Sequence, residues 1–187
     1  HQKDALLPFK SKDELVAAYL ASRDQPNLKL YAKWFDETGG NIEDKIAAIF
    51  SHVAKSARHP KWKGCGFLRT AGELANMPGH PAMRVGAAHK KKFEAWLAAQ
   101  FSANGVGTAG TLAQHIALLM DGAFSAMLVH RDASYAEAAG EAARTLVRLA
   151  RCVFRVVKAV PPRATRDRQR RRLFPMYWCY RFWSRPS

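Results

Sequence analysis

The chain has 187 residues, 48% of them apolar and 24% charged, an ordinary globular composition that excludes wholesale disorder and collagen-like repeats. Its length suits one domain, or one domain with an appendage, and is enough to build a core without disulfide or metal staples. The net charge of +15 is unevenly placed: residues 151–187 hold 11 Lys/Arg against Asp167 alone, a net of +10, which leaves +5 for residues 1–150. Three widely spaced cysteines, Cys65, Cys152 and Cys179, make neither a disulfide framework nor a zinc knuckle, as expected of a reducing cytoplasm. The start at His1, with no charged and then apolar leader, reads as a fragment lacking a signal peptide.

In chain order, Ser11-Lys12-Asp13-Glu14 forms a capping box: the Ser11 hydroxyl accepts a helix-start N–H and Glu14 reaches back to the Ser11 N–H. Leu15 and Tyr19 follow at helical spacing, and Pro26 predicts a stop near Asp24. A second helix carries Leu28, Tyr31, Trp34 and Phe35 and ends at Gly39-Gly40. Asn41 caps a third, whose stripe is Ile42, Ile46, Ile49, Phe50 and Val53. After a connection from His59 to Gly66, a short helix spans Phe67 to Ala75. Pro81 suits the first position of a long helix running to Ala103, with Val85, Phe93, Trp96, Leu97 and Phe101 on its apolar face. Thr108 to Val129 is the most apolar helix, and Ser134 with Glu137 makes a second capping box opening the last. Nothing alternates with a period of two for long enough to form a strand. The fold class is all-α, with about six to eight helices joined by short loops.

The residues offer little support for catalysis. Gly105-Val106-Gly107-Thr108-Ala109-Gly110 spells a dinucleotide-binding pattern, but a helix precedes it where the mechanism needs a strand, so it reads as a helix-to-helix loop. Seven histidines include no metal-ligand spacing, and no serine sits in a nucleophile elbow. Neither an enzyme, a metal nor a cofactor is expected. Residues 106–129 are long enough for a membrane span, but Asp121 near the middle, with Gln114 and His115, favours a buried helix of a soluble protein.

Several stretches together resemble the tetracycline-repressor-type (TetR) family of transcriptional regulators. They are Phe9-Lys10-Ser11-Lys12-Asp13-Glu14-Leu15, Gly64-Cys65-Gly66-Phe67-Leu68, and His80-Pro81 followed by His89-Lys90. The small-residue helix from Thr111 to Val129 and the amphipathic helix from Ser134 follow in the expected order. The likeness spans roughly residues 9–150. It implies a homodimer in which a helix-turn-helix head grips operator DNA, while a helical body binds a small effector and dimerises through its last two helices. The junction motif arrives at Phe9, preceded by Leu6-Leu7-Pro8 instead of the family's aromatic turn, so the head is expected to be truncated. Residues 1–10 would be its remnant, with Lys10 and Lys12 as residual phosphate contacts, and 11–158 the sensing and dimerisation domain. Operator DNA would be a partner only with the head restored.

In that body, Phe50, Trp62, Phe67, Phe93, Trp96, Met120 and Phe124 are expected to line a pocket for a small apolar or aromatic effector, oriented by His89 and His115. Gln114, Leu118, Gly122 and Ala126, with Ala138, Ala142 and Leu146 of the last helix, are the candidate dimer interface, since small residues at four-residue spacing let helices approach closely. The stretch 159–187 differs in character. An arginine run, Arg163 to Arg172, precedes aromatics without helical period, which resembles GC-rich DNA translated in another frame and is expected to stand outside the fold. If it is genuine, the alternative function is nonspecific nucleic-acid binding, with arginines on phosphates and aromatics stacked on bases.

Overall fold

The computed structural model describes residues 9–159, with side chains as far as Cys152. All but Phe9 and Lys10 of the expected head remnant, and all but Ala159 of the tail, lie outside the described residues. Among those described there are six helices and no strand: α1 (Lys12–Glu37), α2 (Ile42–Ala57), α3 (Gly66–Glu73), α4 (Pro81–Ala103), α5 (Ala109–His130) and α6 (Ser134–Ala159). The expected all-α class is what is found.

Helix α1 corrects the first boundary. Two helices separated before Pro26 were expected, and one helix runs through it. Proline lacks the N–H that would bond the Ser22 carbonyl and normally costs a helix interior about 3 kcal/mol. Here Ser22 and Pro26 are both exposed, so water can take the orphaned carbonyl. The halves are pinned on the opposite side by Leu20, Asp24 and Phe35, all buried. The cap differs in one bond: Ser11 Oγ accepts from the Glu14 N–H, but the Glu14 carboxylate accepts from the Lys10 N–H, not that of Ser11.

The remaining helices start and stop for local reasons. Asn41 Oδ1 accepts from the Asp44 N–H at the head of α2, and Pro81 opens α4 while the His80 ring accepts from the Ala82 N–H. The glycine-rich segment after Ala103 is a loop between α4 and α5, with Gly105 at φ 72°, as the sequence implies. Before α6 the capping box does not form. Ser134 is already helical; its N–H and hydroxyl both donate to Asp132, and Glu137 turns instead to Arg58.

The core is built on two long contacts, α2 against α6 and α4 against α5, with α1 laid across α2 and α4. On α2 the predicted stripe is buried from Ile42 to Val53. Its Phe50 meets Gly140 of α6, from which the buried Ala136, Ala143 and Val147 stand at helical spacing, and small residues bring the axes close. A Cβ at Gly140 would stand 2.9 Å from the Phe50 Cβ. Ion pairs Asp44–Arg144 and Glu43–Arg151 flank this contact. Helix α5 is long and apolar enough to cross a membrane, yet it turns Leu112, Ile116, Met120, Ala123 and Met127 into the protein core.

A polar seam ties α1, α4 and α5 together. Asp24 of α1 is buried and takes a 2.7 Å bond from His89 Nδ1 on one carboxylate oxygen and Lys92 on the other. Lys90, the residue after His89, pairs with Asp121 of α5. His89 also stacks on Phe67 of α3, with centroids 3.8 Å apart. Burial raises the Asp24 carboxyl, but the Lys92 and His89 hydrogen bonds and charges outweigh it and hold it below its ordinary value. Burial lowers His89, helped by Lys90 and Lys92 and only partly opposed by Asp24, so the imidazole is held neutral.

The packing bears on stability in two ways, the first through volume. Gly140→Ala should destabilise the fold by about 1–3 kcal/mol through overpacking against Phe50. Gly86→Ala, where an added Cβ meets nothing within 4 Å, should stabilise α4 by roughly 0.5–1 kcal/mol; urea midpoints at constant slope read both. The second concerns acid. As pH falls below His89's ordinary 6.5, the unfolded chain binds a proton that the native imidazole refuses, so stability must fall. The slope from this one group is at most about 1.4 kcal/mol per pH unit. The expected result is a flatter dependence of unfolding free energy on pH, between pH 7.5 and 5.5, for His89→Asn than for the parent chain. Equal slopes would remove His89 from the explanation.

Candidate functional site

Two features stand out once the helices are in place: a cavity along one side of α1, and a bare apolar face on α5 and α6. The cavity, about 330 Å³, is at the small end of ligand sites, which span roughly 300–1,000 Å³. Helix α1 supplies one wall through Leu20, Tyr31 and Trp34. The connection from Trp62 to Gly66 and the start of α3 supply another, and Val53 and Phe124 come from α2 and α5. The connection can lie flat against α5 because residue 64 is glycine: its φ is +77°, and a Cβ there would come within 2.9 Å of the Leu128 side chain.

The walls are aromatic and ordered by their own stacking. Trp62 and Phe124 lie nearly parallel, 6.4 Å between centroids. Trp34 stacks on His52 at 4.9 Å, and Tyr31 packs at 5.0 Å on Phe93 behind it. Burial pushes the Tyr31 phenol far above its ordinary range, with Cys65 and Asp121 adding to the shift, so its hydroxyl stays a neutral donor. Arg23, Lys63 and Arg69 also line the space, and all three are exposed.

The expected pocket residues divide into four groups. Trp62, Phe67 and Phe124 line the cavity. His89, Phe93 and Trp96 stand behind it: His89 stacks on Phe67, and Phe93 stacks on Trp96 and touches Tyr31. Phe50 and Met120 are core, Phe50 against Gly140 of α6 and Met120 only 2% exposed. His115 is placed elsewhere altogether: it is exposed beside Leu118 on the α5–α6 face, because its position on α5 points away from Ile116 and Met120. It therefore cannot orient a ligand in this cavity. Asp24, to which His89 is committed, was missed as a partner because it was read as a helix end. Tyr31 and Trp34 of α1 also line the cavity: a break before Pro26 leaves the direction of their helix open, and the unbroken α1 fixes it.

The second feature is a shallow groove between α5 and α6 of about 460 Å³, lined by Leu118, Leu119, Gly122, Ala123, Ala126, Tyr135, Ala139 and Leu146, with His115 its one polar side chain. Gln114 stands one turn from Leu118, and Ala138 and Ala142 are exposed at helical spacing from Tyr135 and Leu146. Leu118 is 70% exposed and Val129 75%, with Leu149 and Tyr135 also uncovered. A continuous apolar face of this kind marks an interaction surface. Lys10 and Lys12 are exposed at the start of α1. Among the described residues no three His, Cys, Asp or Glu side chains converge as a metal site. The arginine run and its aromatics lie outside the described residues.

No protein-family model matches the sequence, and no curated protein is similar to it. Among solved structures, the chain is similar to a TetR-family transcriptional regulator from Streptomyces coelicolor, with a TM-score of 0.64 and 22% identity over 82% of this chain and 78% of that one. At that identity the likeness is one of fold. The six helices adopt a TetR-like fold, the architecture that the junction at Phe9 and the order of the later helices imply.

Proposed function

We propose that residues 9–159 are the effector-sensing and dimerisation domain of a cytoplasmic TetR-type transcriptional regulator. The observation that carries this reading is the pairing, on a TetR-like fold, of an aromatic-lined cavity with an uncovered apolar face on the last two helices. The cavity takes a small apolar or aromatic effector. The α5–α6 face takes a second copy of the chain. On that face Leu118 projects one turn from Gly122, above which nothing lies within 4 Å. A two-fold axis puts such a knob of each copy over the bare glycine of the other, giving an isologous four-helix contact. No charged side chain lines the groove, which suits a dry, permanent interface. On this reading operator DNA is a partner only with a helix-turn-helix head restored, which would supply the recognition helix for the major groove.

Sedimentation velocity of the chain is expected to give twice its 20.9 kDa mass. Gly122→Arg, which has room in the monomer but buries an unpaired charge in the dimer, should yield a folded monomer with unchanged helical content. A wild-type monomer at 50 µM, or a Gly122→Arg chain that stays dimeric, would sink the pairing assignment.

A further inference from the structure

The rim of the cavity differs from its walls. Among the described residues no acidic side chain lines it, while Arg23, Lys63 and Arg69 do. Arg23 and Lys63 pair with no carboxylate among the described residues. Arg69 is held in place by the Lys63 carbonyl at 3.5 Å and by Glu73 at 3.9 Å. Among the described residues, the other ionisable lining groups are the Tyr19 and Tyr31 phenols and the Cys65 thiol, and burial keeps the Tyr31 phenol neutral. Aromatic faces alone would attract cations, but a cation entering here must pass three positive charges. An anion meets the reverse: its charge stays at the wet rim, where desolvation costs little, and its body enters the dry aromatic space.

Resting on the reading of this cavity as the effector site, we propose that its ligand is a small aromatic carboxylate or an equivalent organic anion. Its ring lies between Tyr31, Trp34 and the Trp62–Phe124 wall, and its charge sits between Arg23, Lys63 and Arg69. Exposed ion pairs are individually weak, but three facing one anion are expected to favour it about tenfold over a neutral isostere at low salt, an advantage that shrinks at high salt by screening.

Calorimetric titration of the full chain with 2-naphthoate and with 2-naphthalenemethanol, two probes of one shape differing in charge, tests this. The expected result is naphthoate binding about tenfold tighter at low salt. In Arg23→Gln/Lys63→Gln that advantage should fall to the share of Arg69 alone, roughly twofold, while the alcohol's affinity holds, and Trp62→Ala should weaken both. Arg23 and Lys63 are exposed, so the double variant should keep the parent melting temperature; if it does not, Arg23→Gln alone serves. Equal affinities for the two probes, both lost in Trp62→Ala, would overturn the anionic class and leave the effector cavity standing. An anion preference undiminished in Arg23→Gln/Lys63→Gln arises elsewhere on this basic chain and also overturns the class. No binding of either probe, or binding indifferent to Trp62→Ala, overturns the cavity reading itself.

Discussion

One buried carboxylate sets the geometry of the rest. Asp24 lies midway along α1, two residues before a proline that should have ended the helix, and it is gripped by His89 and Lys92 of α4. A buried charge is tolerated only when it is paired and hydrogen-bonded, and both conditions are met here from one helix face. The consequence reaches beyond the pair. Because α1 is held against α4 at its middle, its second half continues past Pro26 and delivers Tyr31 and Trp34 to the cavity. Because the same imidazole stacks on Phe67, α3 and the connection before it are positioned by the same contact. The aromatic space and the polar seam are thus parts of one arrangement.

The two apolar surfaces obey different rules. The cavity is lined by rings whose mutual stacking holds them apart, so the space stays open; a core of flexible aliphatic residues would collapse into it. The α5–α6 groove is lined mainly by alanine, glycine and leucine, with His115 and Tyr135 also on it, and its relief is shallow. Small residues do two jobs on α6. Ala136, Gly140 and Ala143 let α2 approach on the inner side, and Ala138 and Ala142 leave the outer side low. One helix with alanines nearly all round can therefore be buried inward against α2 and present an uncovered face outward.

Ion pairs are placed where they specify which helices meet, since exposed pairs add little stability. Asp44–Arg144 and Glu43–Arg151 register α2 against α6, and Lys90–Asp121 registers α4 against α5. The lysine triplet at 90–92 shows how the division works. Lys91 reaches only Glu94 on its own helix, while its neighbours on either side turn to different partner helices.

Helix content, most boundaries and the order of the later helices were legible in the sequence, because caps, proline at a first helical position and three-four apolar spacing are local properties of neighbouring residues. The TetR-like likeness was legible for the same reason, through a junction motif at Phe9 and a fixed order of weaker marks. Local signals also explain the errors. A proline and a Ser-x-x-Glu pattern were read by their usual consequences, and in each case a partner distant in sequence decided otherwise: His89 and Lys92 for the helix through Pro26, Arg58 for Glu137. The cavity was only partly legible. An aromatic at helical spacing looks the same whether it fills a core, as Phe50 does against Gly140, or lines a space, as Phe124 does beside Trp62. Which of these occurs depends on where the neighbouring helix axis runs, and that is settled only when all six helices are packed.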